Sequence, residues 1–486
     1  MSAQGKNNSI SGSMLWNLME RACTQGAQLL VSIILARLLL PEAYGVLALI
    51  TVFVNLATVV VETGFGSSVI QKKDITKQQI NVIFTFNLLV AVVLCGALWV
   101  LAPMIASFYD NYEHTLLVQV IRIYSLILPL GSVTSIQTAV LYRDMAFKKL
   151  FVVHLLVTVI SSTVGITMAY MGAGVWALVF QQLSAKAVTL LILLVAVKWK
   201  PWLNFRFRQA GSMFRFGGNI LLNRLLNMLY HQVSSLVIGK KYTADTLAYY
   251  TKGNTFPSII ATNTDYALQK VMFSAYSKYQ DDLEKVKNMV RKTICLSTFI
   301  LSPLMFGMLA CTENFIRVVL TDKWLPSTVY MQIFCLSFFL QPIGTTAAQA
   351  FNGIGKSNLT LKIGIATKVT GILLVIAAVP LGVIYIALAV LLTTVVSAVV
   401  YTIMNKRVLG YKIRQQLQDI GGNMLNALAM MVICFGVGFL CRNMAPIVAL
   451  VLQVLAGAVW YIGVSIITKN KNITYVINKL QSLKKR

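Results

Sequence analysis

Apolar residues run along this chain in blocks of roughly 20, the length that crosses the hydrocarbon core of a bilayer as an α-helix, with polar clusters between them. Fourteen such blocks predict transmembrane helices over residues 14–36, 43–63, 80–103, 116–136, 151–170, 173–196, 217–239, 246–268, 289–310, 328–350, 359–379, 382–404, 423–440 and 446–467. A β-barrel would need short alternating segments, which the sequence lacks. The expected fold class is an all-α polytopic membrane protein: two six-helix bundles and a C-terminal helix pair. These occupy 1–200, an interfacial linker over 201–216, 217–410, and 411–486 with its basic tail. The linker, "PWLNFRFRQAGSMFRF", mixes aromatic rings with arginines, as segments lying in a membrane interface do.

The first two spans are joined by a tight turn inside "ARLLLPEAYGVLAL" (36–49). Charge ends the first span, and Pro41 with Glu42 opens the second, where proline forfeits no hydrogen bond and a carboxylate meets the positive helix end. A looser echo, "IGKKYTADTLAYYTKG", begins at 238. A shift of 203 residues places Arg21 on Arg224, Gln28 on His231, Ser32 on Ser235, Arg37 on Lys240 and Glu62 on Asp265. A slightly longer shift brings "GAGVWALV" (172–179) onto "PLGVIYIAL" (380–388). Two halves repeated in the same orientation are the simplest account, an organisation that suits a transporter whose halves rock about a central path.

Composition agrees: of 486 residues 57% are apolar and 12% charged, and the mean hydropathy is +0.74. A net charge of +27 would suggest nucleic acid in a soluble protein, but placement decides its meaning. With the N-terminus cytoplasmic, 30 of the 42 Lys and Arg residues fall in cytoplasmic segments and six in outer ones. The positive-inside rule therefore sets both termini inside and accounts for the charge without nucleic acid. The polar start "MSAQGKNNSISGS" precedes an apolar run too long for a signal-peptide core, so the first span is expected to stay as an anchor.

Six cations remain within spans: Arg21, Arg122, Lys186, Arg224, Lys252 and Lys368. An ionisable group deep in lipid costs at least about 2.5 kcal/mol, so these should face a wet cavity or a protein interior, or snorkel near an end. On the first span Asn17, Arg21, Gln28 and Ser32 recur at helical spacing as one polar stripe. On the seventh Asn219, Asn223, Asn227, His231 and Ser235 do the same. Interhelical hydrogen-bond ladders and the lining of a central path both fit. The six cations outnumber the acids Glu20, Glu62 and Asp265, so a path would prefer an anion, and arginine's forked donors suit phosphate. Glu62 and Asp265 are candidates for ion coupling, or for pairing with a neighbouring base.

Enzyme signals are weak. "AFNGIGKS" (350–357) approaches a phosphate loop, but Ala350 replaces the first glycine and the stretch joins two spans rather than a strand and a helix. His114, His154 and His231 are far apart, and the seven cysteines are scattered singly, so neither a metal site nor a disulfide framework is expected. No cofactor is called for.

Five stretches, "ARLLLPEAYGVLAL", "ETGFGSSVIQKKD" (62–74), "SIQTAVLYRDMAFKKL" (135–150), "SAYSKYQDDLEKVKNMVRKT" (274–293) and "DKWLPSTVYMQIFC" (322–335), resemble in order the bacterial polysaccharide transporters of the multidrug/oligosaccharidyl-lipid/polysaccharide exporter superfamily. The resemblance implies a flippase in the bacterial inner membrane that moves undecaprenyl-diphosphate-linked oligosaccharide outward. It implies a cationic cavity between two bundles, alternating access, and a groove for the lipid tail at the last helix pair. Arg21, Arg224, Lys186 and Lys368, with Lys252 and Arg122, are the implied cavity cations. Expected partners are the polyprenyl-diphosphate-linked oligosaccharide, membrane lipids, and a polysaccharide polymerase with its export machinery. A drug or cation antiporter of the same superfamily should show acids commanding the path; a membrane glycosyltransferase or polymerase should show charged clusters on large outer loops. A non-transporting scaffold leaves the buried cations without a use.

Overall fold

The computed structural model describes residues 23–63, 69, 75–197, 199–206, 211–468, 470, 472 and 473, with the side chains of 62, 63, 211–220, 222, 223, 226, 266–271, 273 and 274 outside that description. The helices are α1 (Cys23–Leu38), α2 (Pro41–Thr63), α3 (Lys77–Phe108), α4 (His114–Ser125), α5 (Ile127–Arg143), α6 (Phe147–Tyr170) and α7 (Val175–Ala196). They continue as α8 (Gly211–Lys241), α9 (Ala244–Lys278), α10 (Leu283–Val319), α11 (Ser327–Gly353), α12 (Ser357–Ala378), α13 (Val383–Leu409), α14 (Ile413–Leu440) and α15 (Pro446–Ile467). α4 and α5 form one apolar rod interrupted at Leu126. Among the described residues, eleven rods are long and apolar enough to cross a membrane. α8 and α9 are as long but carry more Asn, Thr, Lys and Tyr.

Several elements begin and end where their end chemistry dictates. α2 starts at Pro41 with Glu42 in its first turn, as its sequence predicts. Thr76 caps α3: its hydroxyl accepts from the Gln79 amide at 3.2 Å while Gln79 Oε1 accepts from the Thr76 amide at 3.4 Å, satisfying two donors left over at the helix start. Asp282 caps α10 by accepting from the Lys285 amide at 2.9 Å, so that helix begins six residues before the expected 289. The phosphate-loop look-alike is a turn between α11 and α12, with Gly355 at φ 77°. The repeat survives in the boundaries: α1 and α8 end, and α2 and α9 begin, at the same 203-residue offset. α7 and α13 also each follow a glycine at positive φ, Gly174 and Gly382.

By its contacts the chain divides into two compact units, at Ala248/Tyr249. The sequence places the break at the 201–216 linker instead; Gly211–Phe216 are already helical in α8, and α8 packs along α2. In the first unit a core of Ile83, Phe84, Ile136, Leu150, Leu193 and Trp199 joins α3, α5, α6 and α7. The segment after α7 is fastened to α3, with Trp199 Nε1 donating to Asn81 Oδ1 at 2.8 Å and the Asn204 amide to Thr85 Oγ1 at 2.7 Å. At the other end of these helices Lys240 pairs with Asp110 at 3.0 Å. A Cβ added to Gly45 would fall on the Ala244 carbonyl, and one added to Gly239 would reach Leu49 Cδ1 at 2.6 Å.

In the second unit Tyr276, Val290, Phe351, Tyr401 and Tyr411 make the core. α14 and α15 are fixed to α10 by polar contacts. Arg291 forks onto Asp419 at 2.8 and 3.0 Å, and Tyr411 Oη donates to the same carboxylate at 2.6 Å. Burial first, and Asp419 second, push the Tyr411 phenol well above its ordinary pKa, so it stays a donor. Asn314 Nδ2 donates to Gln453 Oε1 at 2.9 Å. Pro303 interrupts α10 and lacks the N–H that the Phe299 carbonyl would otherwise receive; Tyr461 Oη from α15 supplies it at 2.9 Å.

Candidate functional site

The first unit holds a cavity of about 340 Å³ between α1, α5, α6 and α7. α6 contributes Thr158, Ser161 and Ser162, spaced to share one helical face. α7 contributes Gln181, Gln182, Ala185 and Lys186, and α1 contributes Gln28, over a floor of Val31, Ile127 and Val157. The hydroxyls of α6 donate to their own helix: Thr158 to the His154 carbonyl at 2.8 Å, Ser161 to that of Thr158 at 3.4 Å, and Ser162 to the same carbonyl. Their oxygens remain able to accept. Buried Tyr124 donates to Gln182 Oε1 at 2.6 Å, which orients that amide. α6 and α7 approach closely at Gly165, where an added Cβ would meet Gln181 Cβ and Cγ at 2.8 Å.

Of the candidates named from sequence, Gln28 and Lys186 meet in this cavity. Arg21 and Asn17 lie outside the described residues, as do the side chains of Asn223 and Glu62. Arg224 and His231 are exposed on α8 and Asn227 is half-buried; none of the three lines this cavity. Lys368 is half-buried on α12. Lys252 is buried in the second unit, its ammonium 5.6 Å from the centre of the Trp324 ring. Asp265 is also buried there, accepting from Gln341 Nε2 at 2.8 Å and Thr345 Oγ1 at 3.3 Å of α11, and no Lys or Arg pairs with it among the described residues. Gln341 and Thr345, four residues apart on one helix face, escape the sequence reading because neither is ionisable.

Arg122 serves helix geometry. Pro103 in α3 leaves the Trp99 carbonyl without its helical donor, and the break at Leu126 frees the Arg122 carbonyl. Each helix serves the other's defect: Arg122 Nε donates to the Trp99 carbonyl at 3.3 Å, and Trp99 Nε1 to the Arg122 carbonyl at 2.8 Å, which Ser125 Oγ also reaches at 2.7 Å. Arg122→Leu is therefore expected to lower stability by about 1–3 kcal/mol, the cost of leaving the Trp99 carbonyl unsatisfied. A thermal melt in detergent checks this, and an unchanged melting temperature would contradict it.

A second cavity, of about 380 Å³, lies in the second unit and is mostly apolar. α10 lines it with Pro303, Gly307 and Phe315, α14 with Met430 and Cys434, and α15 with Gly457 and Tyr461. Among the described residues no three His, Cys, Asp or Glu side chains gather as a metal site.

Solved structures share this polytopic all-α fold. The lipid II flippase MurJ, in an inward closed conformation, aligns over 94% of this chain and 99% of its own with a TM-score of 0.74 at 14% identity. An inward-facing multidrug resistance MATE family transporter of the MOP superfamily aligns over 80% of this chain and 94% of its own, with a TM-score of 0.62 at 14% identity. Residues 34–329, more than half of the chain, match the family described as Polysaccharide biosynthesis protein, and the chain belongs to it. Relatives include the lipopolysaccharide biosynthesis protein WzxC of Escherichia coli, 22% identical over 90% of this chain and 89% of that protein. The teichuronic acid biosynthesis protein TuaB of Bacillus subtilis is 26% identical over 84% of each. The succinoglycan biosynthesis transport protein ExoT of Rhizobium meliloti is 23% identical over 71% of this chain and 70% of its own.

Proposed function

We propose that this chain is a flippase that carries undecaprenyl-diphosphate-linked oligosaccharide repeat units from the inner to the outer leaflet of a bacterial inner membrane, by alternating access, for exopolysaccharide or lipopolysaccharide synthesis. The observation that carries the reading is the cavity at Gln28, Gln182 and Lys186, because polar donors and a cation are costly inside an apolar helix bundle without polar cargo. The relatives' names, which speak of transport and of polysaccharide synthesis, support it. In this reading fourteen spans form two six-helix bundles and a final pair, with both termini cytoplasmic. Lys186 attracts the diphosphate, joined by Arg21 and Arg224 at equivalent places in the two halves, and by Lys368. The apolar cavity at α14 and α15 takes the polyprenyl tail. Two negative charges moving outward gain about 2.3 kcal/mol each per 100 mV of interior-negative potential, which gives direction without a nucleotide. Asp265, with Glu62 its counterpart in the repeat, is where a coupled proton or cation acts, if one is used.

The test uses purified protein in vesicles loaded with the lipid-linked oligosaccharide extracted from the cell that carries the gene. Protein-dependent access of a membrane-impermeant glycosidase to the far-leaflet glycan is expected. A rate equal to that of protein-free vesicles would refute the flippase, and proton-driven ethidium efflux in its place would favour the antiporter.

A further inference from the structure

The cavity wall formed by α6 and α7 is built for neutral hydroxyl groups more than for phosphate. Among the described residues two glutamines of α7, with two serines and a threonine of α6, line it beside one cation, Lys186. A phosphate site concentrates cations and N–H forks; this wall offers donors and acceptors in comparable number. The amides are not used up by the fold. Among the described residues Gln182 has one hydrogen bond, through Oε1 to Tyr124, so its amide N–H groups are left to donate into the cavity. The Gln181 stem packs at Gly165, which seats that side chain on the same wall. Beside them on the wall, Ser161 and Ser162 have given their protons to their own helix and present acceptors. Donors beside acceptors, with apolar Val31, Ile127 and Val157 lining the same cavity, match a sugar ring, whose hydroxyls both give and take hydrogen bonds while its C–H face is apolar. The volume, about 340 Å³, is in the range of small-molecule sites.

We propose that Gln181, Gln182, Ser161 and Ser162 form a glycan-reading subsite, which recognises a sugar of the translocated oligosaccharide by its hydroxyls, with Tyr124 as the positioning residue that orients Gln182. The inference rests on the flippase reading and adds to it the residues that sense the sugar. A polar site that hydrogen-bonds its substrate discriminates strongly, because a wrong sugar leaves its groups unpaired.

The experiment measures binding of two probes to the full-length protein in nanodiscs: bare undecaprenyl diphosphate, and the undecaprenyl-diphosphate-linked oligosaccharide from the cell that carries the gene. The parent should prefer the glycosylated lipid by at least about tenfold, the value of one or two well-made hydrogen bonds. The Gln181→Met, Gln182→Met double variant should reduce that preference to within about twofold of none. Ser161→Ala with Ser162→Ala, substitutions that helices in lipid tolerate, should lower it severalfold and guards against misfolding of the first variant. Tyr124→Phe should weaken the preference, while Gln182→Asn in a Tyr124 background should rescue part of what methionine loses. Preference retained in both double variants overturns the subsite while the flippase stands. Equal binding of the two probes by the parent also overturns it, and binding of neither overturns the flippase reading as well.

Discussion

Valine in place of Gly45 is expected to disrupt the first unit severely. The first added carbon would lie on the Ala244 carbonyl, with Ala244 Cα at 2.8 Å, and backbone cannot rotate aside as a long side chain can. α2 and the start of α9 must separate, which carries the Lys240–Asp110 pair and the Gly239–Leu49 packing with it. Overfilling a packed site costs about 1–3 kcal/mol and occasionally more; a backbone obstacle with two β-methyls should fall at or above the upper end. Gly45→Ala should be milder but still destabilising. Gly96→Ala is the control, because nothing lies within 4 Å of its added carbon, and an alanine there should be neutral or slightly stabilising in a helix. Melting temperatures by fluorescence-detected size exclusion compare the three, and a Gly45→Val protein that melts with the parent would mean that the two helices do not touch as described.

The largest effect on transport is expected from Lys186→Gln. The substituted side chain keeps a hydrogen-bonding end and similar length but removes the charge from the cavity. A hydrogen bond to a charged group contributes about 1.5–3 kcal/mol, so the flipping rate at limiting lipid should fall roughly 10- to 100-fold. Lys186→Arg keeps the charge and should retain most of the activity. The vesicle assay, normalised to folded protein, reads both. A parental rate in the glutamine variant would remove Lys186 from phosphate recognition and leave Arg21, Arg224 and Lys368 to supply it.

The helices were legible because an apolar run of span length admits few alternatives, and the turn at Pro41 because proline and glutamate each have a reason to stand there. The ends were less so. α10 begins at Leu283 because of the Asp282 cap, and α3 extends to Phe108; apolarity marks the part of a helix that meets lipid and says nothing of the turns beyond it. The cavity was half legible. Gln28 and Lys186 declared themselves as polar groups on apolar spans, whereas Thr158, Ser161 and Ser162 did not, since small hydroxyl residues in a membrane helix can satisfy themselves on their own backbone and need no cavity. Gln181 and Gln182 belong to no polar stripe of the kind that marked Gln28, and so passed unnoticed beside Lys186. Arg122 was read as a cavity cation because its charge lies inside a span; the two backbone defects that it also joins are 23 residues apart and visible only once α3 and α4 are side by side.

The proline in α10 bears on how such chains lengthen and shorten over evolution. With Pro303 present, the Phe299 carbonyl is an open socket, and Tyr461 of the last helix is its plug. A descendant that lost everything after α13 would inherit the socket facing lipid, along with Asn314 deprived of Gln453. Deletion of the final pair would also strip Arg291 of Asp419, so it would be favoured by prior replacement of Pro303, Asn314 and Arg291, whereas gain of a helix pair could begin from the proline alone. The final pair is easier to acquire than to discard.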